Sequence, residues 1–207
     1  MDFLKKILMA SIMFFGFVQF AGAQSSDDLQ KAFVQSYGYE AKSDYFNAID
    51  VLKKVYNRSN YETNLRLGWL SYLNQQYSES INYYQICIEL APSSIEAKFG
   101  YALPAAALKD WESVAKKYTE ILSLDPNNTI ANYRMGMIYY YKPDYAAAKG
   151  YFEKVTALYP FDSSSVLMVG WCNYQLGKTA DAKTYFLKTL LIVPDNASAL
   201  EGLSMIK

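Results

Sequence analysis

The 207-residue chain contains no histidine. That excludes a Ser-His-Asp triad, a Cys-His pair and a His-ligated zinc centre. Chemistry by carboxylates or lysine alone stays formally open, but no spacing points to it. The sequence holds no glycine-rich phosphate loop, paired-carboxylate motif or metal-ligand cluster, so it reads as non-catalytic, with no cofactor and no metal. Cysteine is scarce, only Cys87 and Cys172, far apart in the chain. A disulfide needs Cα atoms within about 7 Å, so two buried thiols acting as small hydrophobes is the simpler reading. Net charge is zero, with 20 basic and 20 acidic residues and no basic run. Nucleic acid, whose phosphates require a basic footprint, is therefore not an expected partner.

Long apolar runs are also lacking, except at the start. Met1–Ala23 reads as a secretory signal: Lys5 and Lys6 precede an apolar stretch over Ile7–Phe20, and Ala21-Gly22-Ala23 supplies the small residues of a cleavage site before Gln24. An uncleaved anchor is the competing reading, and at about 17 apolar or small residues the stretch sits at the lower edge of the spanning range. No later segment could span a bilayer. Scarce cysteine and a short signal fit the periplasm of a Gram-negative-type envelope.

Of only six prolines, four fall at one constant interval: Pro92, Pro126, Pro160 and Pro194. Three further series keep the same step. They are Gly68, Ala102, Gly136 and Gly170; Ser80, Val114, Ala148 and Ala182; and Tyr84, Tyr118, Phe152 and Phe186. A fixed internal period of this length marks a stacked repeat architecture. Four regular repeats follow from it, Tyr61–Ser94, Ile95–Asn128, Thr129–Asp162 and Ser163–Asn196, each with helical periodicity twice around a short polar turn. Each proline ends an outgoing helix, and Ser, Asn or Asp just after it caps the next. Leu29–Asn60 is a degenerate first repeat, two residues short, and Asp27 with Gln30 forms a capping box that opens a helix from about Asp28. Ala197–Lys207 is one further helix. Small residues let the paired helices approach closely, and the aromatics one turn along the second helix fill space toward the next repeat. Pro104 predicts a kink in the first helix of the third repeat.

These repeats resemble tetratricopeptide repeats, whose pattern W-x2-L-G-x2-Y…A-x3-F…P recurs with a period of about 34 residues. Met135-Gly136, Tyr139, Ala148, Phe152 and Pro160 match it best, followed by Val169-Gly170, Ala182, Phe186 and Pro194. The resemblance covers essentially the whole of residues 24–207. It implies an all-α, right-handed α-solenoid of about five helix-turn-helix repeats with a terminal helix. It also implies that first helices line a concave groove through repeat positions 2, 5, 9, 12 and 13. Carried over, these positions give Leu65, Trp69 and Tyr72 in the second repeat, and Phe99 and Leu103 in the third. The fourth contributes Tyr133, Met137, Tyr140 and Tyr141, the fifth Leu167, Trp171 and Tyr174, and the degenerate first Phe33 and Tyr37.

The family's carboxylate-clamp members hold a peptide terminus with lysine and asparagine in the groove. Position 9 here reads Trp69, Leu103, Met137 and Trp171, and no such clamp is expected. Arg66 and Arg134, both at position 6, are the basic candidates near the groove, for a peptide carboxylate or a sugar acid; the plainer expectation for each is a solvated surface arginine. An apolar stripe at helical spacing is as readily core as binding surface. The expected function is thus a protein-interaction scaffold binding a partner segment through Trp and Tyr side chains. Polysaccharide is a second ligand class, since Trp and Tyr stack on sugar rings and relatives occur in polysaccharide export. Self-association through the apolar terminal helix is a third.

Overall fold

The computed structural model describes residues 26–206. The expected leader, Met1–Ala23, lies outside the described residues. Every regular element described is helical: α1 (residues 26–40), α2 (Tyr45–Lys53), α3 (Tyr61–Leu73), α4 (Tyr77–Leu90), α5 (Ile95–Ala107), α6 (Trp111–Leu124), α7 (Thr129–Tyr141), α8 (Tyr145–Leu158), α9 (Ser163–Gln175), α10 (Thr179–Ile192) and α11 (Ala197–Met205). Helix α1 is already helical at residue 26, ahead of the start expected at Asp28. Asp27 and Asp28 thus lie in the helix, where an early negative charge favours the helix dipole. None of these helices is long and apolar enough to cross a membrane.

The chain divides into two compact units, an N-terminal one ending at Pro92 and a C-terminal one from Ser93. In the N-terminal unit, α3 packs on both α2 and α4, around a core of Ala48, Ile49, Leu52, Leu67, Leu70 and Tyr83. In the C-terminal unit each helix packs on the next from α5 to α11, and α11 also touches α9. Helix α11 therefore stands against the fifth repeat as the first helix of a further repeat would.

Side-chain caps account for most helix starts; α4 and α10 begin after Gln76 and Lys178 without one. Asn60, Ser94, Asn128, Asp162 and Asn196 cap α3, α5, α7, α9 and α11, each accepting from the backbone N–H three residues on. Asp44, Asp110 and Asp144 do the same for α2, α6 and α8. The turn between paired helices is a Schellman motif. Its left-handed residue is Ser43, Gln75, Lys109, Pro143 and Gly177 in successive repeats. The following N–H reaches back five residues each time, as in Gln76 to Ser71 (2.8 Å), Asp110 to Ala105 (2.9 Å) and Lys178 to Asn173 (2.8 Å).

Packing within a repeat is tighter than composition suggests. The Ser80 hydroxyl donates to the Gly68 carbonyl at 2.7 Å across the helix pair. A Cβ on Gly136 would come 2.6 Å from the Phe152 ring, and one on Gly170 would come 2.9 Å from Phe186. The second-helix aromatic therefore seals its own repeat's glycine, and at Phe186 it also meets the next helix, where a Cβ on Gly202 would lie at 2.4 Å. Phe152 and Phe186 are wholly buried, each worth about 1.5–3 kcal/mol in hydrophobic burial. Two side chains at repeat position 4 tie loop to helix: Asn64 donates to the carbonyls of Asn60 and Arg58, and Asn132 to those of Asn128 and Pro126. Helix α5 runs unbroken through Pro104, which stands three residues before its end; the ring removes only the bond to the Gly100 carbonyl, while the Pro104 carbonyl still accepts from Leu108 at 3.0 Å. Cys87 and Cys172 are both buried. Burial, first among the causes, pushes the Cys172 thiol up to about 12.

Candidate functional site

The first-helix residues singled out by the repeat register fall into two groups, one in each compact unit. In the N-terminal unit they lie on α1 and α3. The Trp69 and Tyr72 rings are 5.8 Å apart between centroids, and Tyr72 is 6.0 Å from Tyr77 on α4. Phe33 and Tyr37 approach to 6.5 Å on α1. Tyr37 is 56% exposed and Trp69 37%, whereas Leu65 is half-buried.

Arg66 corrects the expectation of a solvated arginine. It is only 8% exposed. Its Nη1 lies 2.6 Å from Glu40 Oε2, and its guanidinium carbon sits 3.8 Å from the Tyr37 ring centroid. The other Glu40 oxygen accepts from Trp69 Nε1 at 2.7 Å. One carboxylate thus serves both of the residues expected to face a ligand. The guanidinium is planar, weakly hydrated and suited to stacking on an aromatic face, which makes this burial tolerable. Among the described residues, Arg66 Nε and Nη2 are buried without a hydrogen-bond partner. Arg66 is therefore a structural cation, bridging neighbouring first helices.

In the C-terminal unit the candidates lie on α5, α7 and α9. Phe99 is half-buried, 6.0 Å from Tyr118, while Leu103 is exposed. On α7, Tyr133 packs edge-on against Phe152 at 5.5 Å, and Met137 and Tyr140 lean on the core of Ala148, Phe152, Val169 and Cys172. Tyr140 also meets Tyr145 at 5.3 Å and hydrogen-bonds the Gln175 side chain. Beside it Tyr141 is 76% exposed. On α9, Trp171 donates its indole N–H to Ser198 Oγ at 2.9 Å and sets its ring 5.0 Å from Phe186. Tyr174 stands 5.7 Å from Trp171, and Leu167 packs against the separate core of Ala182, Phe186 and Ala199. Trp171 thus closes the terminal repeat more than it offers a platform.

Arg134 differs from Arg66 although both occupy repeat position 6. It is exposed, and among the described residues it has no ion pair. Burial foremost pushes the Tyr118 and Tyr133 phenols up, and for both the positive charge of Arg134 acts the other way. The cation therefore lies close to two aromatic rings and an open surface. No group of residues that could hold a metal ion occurs among the described residues.

Two tetratricopeptide-repeat family models match the chain, one over residues 133–204 and the other over residues 62–94. The chain is a tetratricopeptide-repeat protein. Among solved structures, a tetratricopeptide repeat protein from Parabacteroides merdae is similar at a TM-score of 0.75 and 19% identity, covering 85% of this chain and 71% of that one. A MamA protein is similar at 0.73 and 20% identity, covering 83% and 95%. MamA from Desulfovibrio magneticus is similar at 0.71 and 14% identity, covering 82% and 97%. At these identities the likeness shows the fold alone. Among proteins of curated function, none matches in sequence. Tetratricopeptide-repeat proteins are in general non-catalytic, and the fold of this chain is one that commonly serves as a scaffold for protein interaction.

Within the tetratricopeptide-repeat register, the residue that sequence reasoning missed is Glu40. Counted back from the left-handed Ser43, it occupies position 12 of the degenerate repeat, one repeat before Arg66. A first-helix acid preceding a position-6 arginine by one repeat was the signal available for it.

Proposed function

We propose that this tetratricopeptide-repeat chain is a non-catalytic scaffold, secreted into the periplasm of a Gram-negative-type envelope, which holds a segment of a partner protein against its first-helix face. The observation that carries the reading is a division of labour between the large apolar side chains at the register positions of the C-terminal unit. Second-helix Tyr118, Phe152 and Phe186 are buried in packing, while first-helix Tyr141 and Leu103 stand exposed. Large side chains with few rotors, such as tyrosine, are favoured contact residues because little entropy is lost on binding. Secretion rests on the leader read in Met1–Ala23.

The test uses the full chain in its native envelope. Leu103→Asp with Tyr141→Asp leaves the melting temperature close to wild type, since both side chains are exposed, and abolishes crosslinking to the protein partner. Thr119→Asp with Lys154→Asp, on second helices, leaves capture intact. Undiminished capture by the Leu103/Tyr141 variant, or capture of polysaccharide in place of protein, contradicts the reading. Accumulation of the chain in the cytoplasm with Met1–Ala23 retained contradicts the location.

A further inference from the structure

In the C-terminal unit each helix packs on the next and short loops join them, so successive helices run antiparallel. The loops that follow α6, α8 and α10, residues 125–128, 159–162 and 193–196, therefore lie along one edge of the unit. Their sequences differ at two register positions. Before the period-setting proline the chain carries Ala91, Asp125, Tyr159 and Val193; after it come Ser93, Asn127, Phe161 and Asp195. The middle loop of this edge alone has an aromatic at both places. Neither ring is covered, since Tyr159 is 60% exposed and Phe161 76%. To one side stand exposed Leu124, which ends α6, and exposed Ile130, in the first turn of α7. To the other stands Leu191, 81% exposed near the end of α10, with half-buried Ile192 and Val193. Taking about 200 Å² for a large apolar residue, the five exposed side chains present roughly 600 Å². That matches the largest apolar patch of a typical monomer, a kind of patch that commonly marks a contact surface.

We propose that this loop edge joins a second copy of the chain about a two-fold axis passing beside Phe161. The order of its side chains, aliphatic then aromatic then aliphatic, reads alike in both directions. A two-fold at the middle lays Phe161 on its own counterpart, and Leu124 with Ile130 on Leu191 of the second copy. An isologous contact requires such a self-complementary patch. Two copies together bury roughly 1,200 Å², the lower end of the range for specific, stable interfaces. The three loops contain no lysine or arginine, which leaves anionic lipid without the basic side chains that draw it to a surface. Their acids do not hold a copy off. Asp125 accepts from the Asn127 N–H at 3.1 Å and the Asn128 side chain at 3.2 Å, and Asp162 from the Ser165 N–H at 2.8 Å. Asp195 is exposed at one end of the row, and the two-fold sends its two copies to opposite ends. Tyr141 ends α7 about 17 Å along the axis from Ile130, so the pairing leaves it open. A dimer then presents the first-helix face twice, which raises avidity for a multivalent partner.

The test uses the chain as its native host processes it, first purified and then in the envelope. Sedimentation equilibrium of the purified protein should show twice the monomer mass, giving way to monomer on dilution through the micromolar range. Phe161→Asp should raise the dimer dissociation constant about tenfold or more, with circular dichroism unchanged because the side chain is exposed. Met205→Asp, on α11, should leave that constant within about twofold. In the envelope, Phe161→Cys should form a disulfide-linked homodimer, as a residue beside a two-fold axis does. Ile130→Cys and Leu191→Cys should each fail to crosslink alone, and should join when co-expressed and treated with a short thiol-specific crosslinker. The wild-type chain is the blank, its two cysteines being buried. A monomer at every concentration, or a dimer that Phe161→Asp leaves unchanged, overturns the proposal. So does Ile130→Cys crosslinking to itself and not to Leu191→Cys, and so does Phe161→Cys captured on a different protein. Phe161-dependent sedimentation with phosphatidylethanolamine–phosphatidylglycerol vesicles, by a chain that stays monomeric, overturns it in favour of a lipid surface.

Discussion

A methyl group added at Gly136 has nowhere to go, because the Phe152 ring that it would strike at 2.6 Å is itself wholly buried. Gly136→Ala should therefore destabilise the protein by about 1–3 kcal/mol, the usual cost of overpacking a closed site. Gly150→Ala should do the reverse. It lies within α8 with no atom near its would-be Cβ, and replacing a solvent-facing helical glycine gains about 0.5–1 kcal/mol. Urea denaturation of the two variants checks both signs at once. The constant repeat period made the first of these legible, since it sets a small residue and an aromatic at fixed separation four times over. Glu40 was not legible in that way, because a single acid in a degenerate repeat belongs to no series. Its importance comes from contact between neighbouring first helices. Glu40→Ala should cost about 3 kcal/mol by leaving the buried Arg66 charge uncompensated. Replacing both residues by methionine should recover most of that loss in the same denaturation experiment. An equal loss in the single and double variants would mean that the pair contributes through shape alone.

Among the elements, the turns between paired helices carry the least obvious constraint. Each needs one residue in the left-handed region, and glycine fills that position only at Gly177. In the fourth repeat the position holds Pro143 at φ 28°, whereas the prolyl ring favours about −65°. Pro143 also has no N–H to give to the carbonyl three residues back, a bond that Gln75, Lys109 and Gly177 each make at 2.9–3.0 Å. Only the reach-back of Asp144 to the Tyr139 carbonyl, 3.0 Å, remains of the motif. Pro143→Gly should accordingly stabilise the protein, by about 1–3 kcal/mol if the strain is of the usual size for an unfavourable backbone conformation. A calorimetric melting temperature below that of wild type would show the ring to be accommodated without strain. In the sequence this turn is legible only as short and polar. The left-handed conformation is imposed by the geometry of the motif, and Ser, Gln, Lys and Pro do not announce it. Pro104 shows the converse: a proline conspicuous in sequence sits where an unbroken helix loses a single bond.

For the molecule as a whole, helix count, repeat length and the N-caps after each proline were legible because each recurs once per repeat. The division into units at Pro92 and Ser93 was not, since Pro92 keeps the same register as Pro126, Pro160 and Pro194. The candidate face was legible as a set of positions. What the positions could not convey is how many of those side chains the fold itself uses. Trp171 is engaged by Ser198 and Phe186, and Trp69 by Glu40, so the exposed remainder is carried mainly by Tyr37, Leu103 and Tyr141. The central claim is that first helices bind and second helices pack. Its most direct measurement places a photo-crosslinking amino acid singly at Leu103, Tyr141, Thr119 and Lys154 of the full chain in its native envelope. Protein adducts at Leu103 and Tyr141, and none at Thr119 or Lys154, are the predicted result. Adducts confined to the second-helix positions would contradict it.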